Sequence, residues 1–271
     1  MTFLEKLETA ARVNGSWLCV GLDPDPSLMP IPDVAAFNTA IIEATADLVC
    51  AYKPNIAFYE AMGKDGMAAL EKTAAAVPSH IPIIIDAKRG DIGNTARAYA
   101  RALFETWGFD AATVSPYLGY DSLEPFLAYP EKAAFILCRT SNPGGSDLQN
   151  LLCSGPEGEP ERPLYQVVAS KANEWNRLGN VGLVVGAPYP DELRQVRAIC
   201  PDLPILIPGV GAQGGDLELS AKYGSNERGE RAIINSSRQV LYASGGADYA
   251  DAARAVARKL RDDISQALST R

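Results

Sequence analysis

The sequence holds a single histidine, His80, and five cysteines, Cys19, Cys50, Cys138, Cys153 and Cys200, with no Cys-x-x-Cys pair among them. That scarcity leaves little for catalysis built on histidine or cysteine, and the odd, wide spacing suggests neither a disulfide framework nor a zinc site. The cysteines read as reduced, mostly buried fillers, and no metal is expected. Also missing is any apolar stretch near the roughly 18 residues that a membrane span requires. The opening "MTFLEKLETAARVNG" carries acids and no apolar signal core, so it reads as a short amphipathic helix, with the cytoplasm as the expected location. Positive charge is in deficit: 25 Lys and Arg stand against 33 Asp and Glu, a net charge of −8. Such a surface repels nucleic acid and anionic lipid, so an anionic substrate has to be met by a locally basic pocket.

What is present is ordinary globular composition, 47% hydrophobic and 21% charged, in a 271-residue chain expected to form one domain over residues 1–271. Short apolar runs alternate with longer stretches of helical spacing. The runs are Trp17 to Asp23, Ala51 to Tyr59, Ile81 to Lys88, Ala111 to Pro116, Ala133 to Thr140, Val181 to Ala187, Pro204 to Val210 and Ala232 to Arg238. Between them lie segments such as "AAFNTAIIEATADLVC", "TARAYARALFETW" and the closing "DYADAARAVARKLRDDISQAL". An open doubly wound sheet has the same alternation. Eight evenly spaced units with a final helix favour closure into an α/β (β/α)8 TIM barrel preceded by an extra N-terminal helix. One connection, Ser141 to Pro163, far exceeds the usual βα length and is expected to be a working loop.

In a parallel barrel the chemistry sits at the carboxyl ends of the strands. Asp23 ends the first run, Lys53 lies near the end of the second, Asp86 and Lys88 end the third, Ser141 follows the fifth and Arg238 ends the eighth. Strand side chains alternate, so Asp86 and Lys88 share a face; with Ile81, Ile83 and Ile85 turned to the helices, that face is the interior. Asp91 follows on a turn between Gly90 and Gly93. A surface salt-bridge cluster is the bland reading of "DAKRGD", but desolvated charge at a barrel mouth is costly unless function needs it. Carboxylates on either side of Lys88 favour its ammonium form, a proton donor rather than a nucleophile. His80 precedes the third strand, at the other barrel face, and reads as structural.

"IPGVGAQGG" after the seventh run fits G-x-G-x-x-G by letter through Gly209, Gly211 and Gly214. The dinucleotide fingerprint belongs to the first βα unit of its fold, so a late match in a repeating series is not one. Its glycines still let backbone N–H groups approach an anion at the loops where barrels bind phosphate. Gln213 and Arg238 would complete that grip.

These stretches carry a resemblance. "DAKRGDIGNTA", with "GLDP", "KPNIAFYE", "RTSNPGG" and "PGVGAQGG", resembles the orotidine 5'-phosphate decarboxylase family in its longer bacterial subgroup, from about Trp17 to Tyr242. The resemblance implies conversion of orotidine monophosphate to uridine monophosphate, the last step of de novo pyrimidine synthesis, without a cofactor. It implies an array of Lys53, Asp86, Lys88 and Asp91, with Lys88 the proton donor and Asp91 reaching a neighbouring subunit's site in a homodimer. Asp23 and Lys53 would contact ribose hydroxyls, Asp91 and Thr95 would approach from the partner, and Ser141 would read the pyrimidine. Gly211, Gln213 and Arg238 would hold the phosphate. Two alternatives stay open. A metal-dependent sugar-phosphate lyase of the same superfamily would carry an acid where Lys53 stands, and a non-catalytic phosphoribosyl binder would gain nothing from the charge cluster.

Overall fold

Each apolar run becomes a short strand because apolar residues, many of them β-branched, face packed layers on both sides. The computed structural model describes residues 1–155, 160–211 and 214–270. The barrel strands are β1 (Leu18–Leu22), β2 (Ala51–Pro54), β3 (Ile84–Arg89), β4 (Ala111–Val114), β5 (Ala133–Arg139), β6 (Val181–Val185), β7 (Ile205–Pro208) and β8 (Ala232–Ser236). All pair in parallel with their neighbours, in the order β2-β1-β8-β7-β6-β5-β4-β3. Bridges from Tyr52 to Ile83 and from Asn55 to Asp86 bring β2 against β3 and close the ring. The expected TIM barrel is the observed fold, with α1 (Phe3–Asn14) ahead of the first strand.

Two runs end earlier than their hydropathy indicates. The second stops at Pro54, because the Asn55 side chain accepts from the Ala57 N–H and caps a helix over Ile56–Ala61. The eighth stops at Ser236, and Arg238 opens a short helix, Arg238–Leu241, instead of ending the strand. The long fifth connection is folded in part: a helical turn over Ser146–Gln149 leads into a two-stranded hairpin pairing Leu152–Cys153 with Arg162–Pro163.

Two apolar layers hold the barrel. Outward-facing residues such as Ile85, Val114, Ile136 and Ile207 pack beneath the helices. Inward-facing Cys19, Ile84, Phe135, Val184, Leu206 and Ile233 fill the amino-terminal half of the interior, and Phe3, Leu7 and Ala11 of α1 plug it from below. Phe3 meets Phe135 edge to face at 5.6 Å between ring centres. Gly182 on β6 leaves the space that the Phe135 ring occupies. α1 is anchored by a capping box at Thr2 and Glu5 and by Lys6, whose ammonium bonds both oxygens of Asp110 at 2.9 Å.

Because the plug closes one end with hydrocarbon alone, Leu7→Ala is expected to destabilise the barrel by about 2–5 kcal/mol, read as a lower urea midpoint at unchanged m-value. An unchanged midpoint would show that α1 only lies over the barrel.

Candidate active site

The opposite end of the barrel is open and polar. A cavity of about 760 Å³ sits over the carboxyl ends of the strands, within the size range of small-ligand sites. Its floor is apolar, with Leu137, Val184, Leu206 and Pro208; its walls carry Asp23, Lys53, Asp86, Lys88, Ser141 and Arg238.

Four of these charges form a chain. Lys53 on β2 is 3% exposed, with its Nζ 3.2 Å from Asp86 Oδ2 and 3.9 Å from Asp23 Oδ1. Asp86 Oδ1 takes the Lys88 ammonium at 2.6 Å. Burial by itself would drive the Lys53 proton off, but the Asp23 and Asp86 carboxylates overcome it and hold its pKa above the ordinary lysine value. Burial likewise pushes Asp86 towards the neutral acid, and Lys53 and Lys88 overcome that, holding its carboxyl well below the usual range. At nearby Cys19 the Lys53 ammonium does not offset burial, which pushes the thiol up to about 12, so it stays neutral. The Lys88 side chain is half exposed, and a pair of that exposure contributes at most about 1 kcal/mol to stability. Its place at the mouth therefore serves the cavity rather than the fold.

Local structure aims these groups. The β3–β4 pairing slips between Ile85 and Arg89, and Lys88 adopts φ +46°, a left-handed conformation uncommon for a residue with a side chain. Thr113, buried on β4, donates from Oγ1 to Asp86 Oδ1 at 2.8 Å and accepts from the Ala87 and Lys88 amides at 3.0 and 2.9 Å. Asp23 is fixed by the Asn55 N–H, donated to its Oδ1 at 3.2 Å. Tyr242 ties the loop after β1 to that after β8: its hydroxyl donates to the Asp23 carbonyl and accepts from the Asp25 N–H. Gly21 on β1 has no side chain because Ser237 fills the place where one would stand.

The structure gathers Asp23, Lys53, Asp86, Lys88, Ser141 and Arg238 around one cavity, with Arg238 exposed at its rim. Asp91 and Thr95 lie beyond the cavity wall; Asp91 accepts from the Ile92 N–H at 2.8 Å and Thr95 is exposed. Gly209 and Val210 line the cavity, while Gly211, at φ +69°, is one step outside and gives its N–H to the Gly215 carbonyl. Gln213 falls outside the described residues. His80 is exposed in the turn before β3, at the end of the strand remote from the charges.

Sequence reading missed Thr113, Asn55, Tyr242, Asn235 and Arg139. Asn235 lines the cavity with its Oδ1 buried and without a protein hydrogen-bond partner. Arg139, 1% exposed at the end of β5, stacks 3.5 Å over the Tyr189 ring and donates to the Thr140 carbonyl and Gln149, anchoring the segment that carries Ser141. Arg139 lies within "RTSNPGG" and Asn55 within "KPNIAFYE", and nothing local flagged the others.

Residues 16–256 match the model of the Orotidine 5'-phosphate decarboxylase / HUMPS family. The chain belongs to the orotidine 5'-phosphate decarboxylase family. It is 57% identical to the orotidine 5'-phosphate decarboxylase of Herpetosiphon aurantiacus over 265 residues, covering 94% of this chain and 95% of that protein. It is 55% identical to the protein of the same name from Thermomicrobium roseum, covering 98% and 96%. Its fold superposes on Leishmania donovani OMP decarboxylase with a TM-score of 0.88 at 43% identity, over 99% of this chain and 100% of that one. Near-complete coverage of the bacterial relatives agrees with the resemblance to the longer bacterial subgroup. Within a decarboxylase barrel, a pair of carboxylates alternating with two ammonium groups is a preorganised field for a reaction that makes a carbanion.

The depressed Asp86 pKa has a sign that can be checked. Its ionised form contributes stability above the ordinary aspartate value near 4, and that contribution is lost as pH falls below it toward the folded value. The 13C carboxyl resonance of Asp86 is therefore expected to show no titration between pH 7 and about 4; a midpoint inside that window would mean that the lysines do not compensate its burial.

Proposed function

We propose that this cavity decarboxylates orotidine 5'-monophosphate to uridine 5'-monophosphate and CO2, the last step of de novo pyrimidine synthesis. The observation that carries the reading is the Asp23–Lys53–Asp86–Lys88 chain at the mouth of a barrel of this family. The C6–carboxyl bond breaks, its electron pair stays on C6 and CO2 leaves. The Lys88 ammonium stabilises the growing charge and then gives its proton to C6. Half exposed, the resulting amine regains a proton from water. Asp86 lies beside the departing carboxylate and orients Lys88, while Lys53 and Asp23 take the ribose hydroxyls. Ser141 reads the pyrimidine edge, and Arg238 with Gly211 and Gln213 holds the phosphate, by a bidentate fork in the case of arginine. No cofactor takes part, and the barrel over residues 1–271 acts as one domain in the cytoplasm. Unpaired cysteines are consistent with that reducing location. Among the described residues no helix is long and apolar enough to cross a membrane.

The sugar-phosphate reading is disfavoured by position: an ammonium already occupies the space between Asp23 and Asp86 that a cation would need. Lys88→Ala is expected to lower kcat at least about 100-fold while orotidine monophosphate still binds, followed by loss of substrate absorbance with and without chelator. A tenth of wild-type turnover would remove Lys88 from the donor role, and rescue of a chelated, dead enzyme by magnesium would favour the sugar-phosphate reading.

The site is shared across a homodimer, with Asp91 and Thr95 entering the partner's cavity. Asp91 lies outside its own cavity, and exposed Ile92, Tyr117 and Leu118, on the loops after adjacent β3 and β4, give an apolar patch for a second copy. Asp91→Ala and Lys88→Ala chains should each be inactive. Refolded together in equal amounts, half their dimers are mixed, and each mixed dimer collects both defects in one site, so about a quarter of all sites recover. A mixture as inactive as its parts, beside a wild-type control that refolds, would place Asp91 within its own chain.

A further inference from the structure

Between the paired residues Ile85–Ala112 and Arg89–Val114, three residues of β3 face one residue of β4. The three are Asp86, Ala87 and Lys88; the one is Thr113. A bulge of that size leaves the Ala87 and Lys88 amides without opposing carbonyls. Both donate instead to Thr113 Oγ1, at 3.0 and 2.9 Å. A hydroxyl has a single proton, and amides can only donate to it, so that proton is directed to the remaining neighbour, Asp86 Oδ1 at 2.8 Å. One oxygen thus joins the main chain of the bulge to the carboxylate in front of it. The same carboxylate oxygen takes the Lys88 ammonium, and the same bulge puts Lys88 at φ +46°.

Nothing in the packing of the barrel asks for a hydroxyl at this position. Thr113 is 1% exposed, and the cavity-floor residues of the next strands, Leu137, Val184 and Leu206, are aliphatic. Valine would fill the same volume.

We propose that Thr113 is the positioning residue of the charge array: its hydroxyl locks the β3 bulge and, through Asp86, the direction in which Lys88 presents its proton. This deepens the decarboxylase reading and rests on it. Thr113 lines the cavity beside Asp86, and its hydroxyl is spent on Asp86 and on the Ala87 and Lys88 amides. Replacing the hydroxyl by a methyl keeps the shape of the cavity wall and misdirects the donor, and a displacement of about 1 Å in a reacting group can cost about 100-fold in rate.

The test compares Thr113→Val with Thr113→Ser in steady-state decarboxylation of orotidine monophosphate and in amide hydrogen exchange of the folded protein. The valine variant is expected to lose about 100-fold in kcat with KM within about threefold of wild type, and serine to restore kcat to within about threefold. Exchange at the Lys88 amide is expected to quicken at least about tenfold with valine and to stay protected with serine. A valine variant with more than a third of wild-type kcat would overturn the proposal. So would a serine variant as impaired as valine, a loss confined to KM, or an unchanged Lys88 exchange rate. If wild type itself fails to decarboxylate, the activity reading falls, and the exchange comparison still decides whether Thr113 holds the bulge. If valine does not fold, Thr113→Ala against Thr113→Ser carries the same comparison.

Discussion

The ammonium of Lys53, withdrawn from water between two carboxylates, sets the terms for the rest of the site. An isolated buried cation costs several kcal/mol and would shed its proton. Here Asp23 and Asp86 hold it charged, with its pKa raised in spite of burial, and Lys88 completes the balance on the far side of Asp86. Two acids and two lysines therefore stabilise one another as a unit. The arrangement has its charges fixed before any substrate arrives, which is the condition under which electrostatics lowers a barrier without reorganisation.

Such a cluster needs a scaffold that tolerates it. The barrel separates the tasks along its axis: the amino-terminal half of the interior is hydrocarbon, sealed by Phe3 and Leu7 of α1, and the carboxyl-terminal half is polar. Alternation along each strand gives every strand the same choice, so Ile84 and Asp86 point into the same interior from two heights of one strand. The large apolar layer beneath the helices supplies the stability, and the charged end can be arranged for chemistry.

Irregular backbone does the aiming. The β3 bulge, the left-handed Lys88, the early end of β2 at Asn55 and the turn at Ser237 all occur where a strand meets the cavity. Around these departures side chains accept main-chain amides: Thr113 takes those of the bulge, Asp23 that of Asn55, and Tyr242 that of Asp25 in the loop after β1. The buried guanidinium of Arg139 donates to the Thr140 carbonyl beneath Ser141. Regular alternation already sends every second side chain into the interior; these contacts fix the main chain from which the last of them project.

The sequence by itself determined what depends on short range. Alternation placed Asp86 on the interior face, and the nearness of Lys88 to it followed from two residues' separation, although a bulge sets its direction. The eight runs with their helical intervals favoured the closed parallel barrel, and the motifs carried the family resemblance. Each is a pattern written within a few neighbouring residues or in their repetition. The exact end of the eighth strand was not legible, since "NSSR" carries no stop signal and the helix that claims Arg238 packs against β1 and the closing helix over Tyr249–Ser269. Nor was the role of Thr113, one threonine in an unremarked "AATVSP", or that of α1, whose amphipathic face does not say which hole it fills. Only the tertiary structure decided these, because a hydrogen bond from β4 to β3 depends on the register between strands 27 residues apart in the chain, and register is fixed when the ring closes and all eight strands must pair at once.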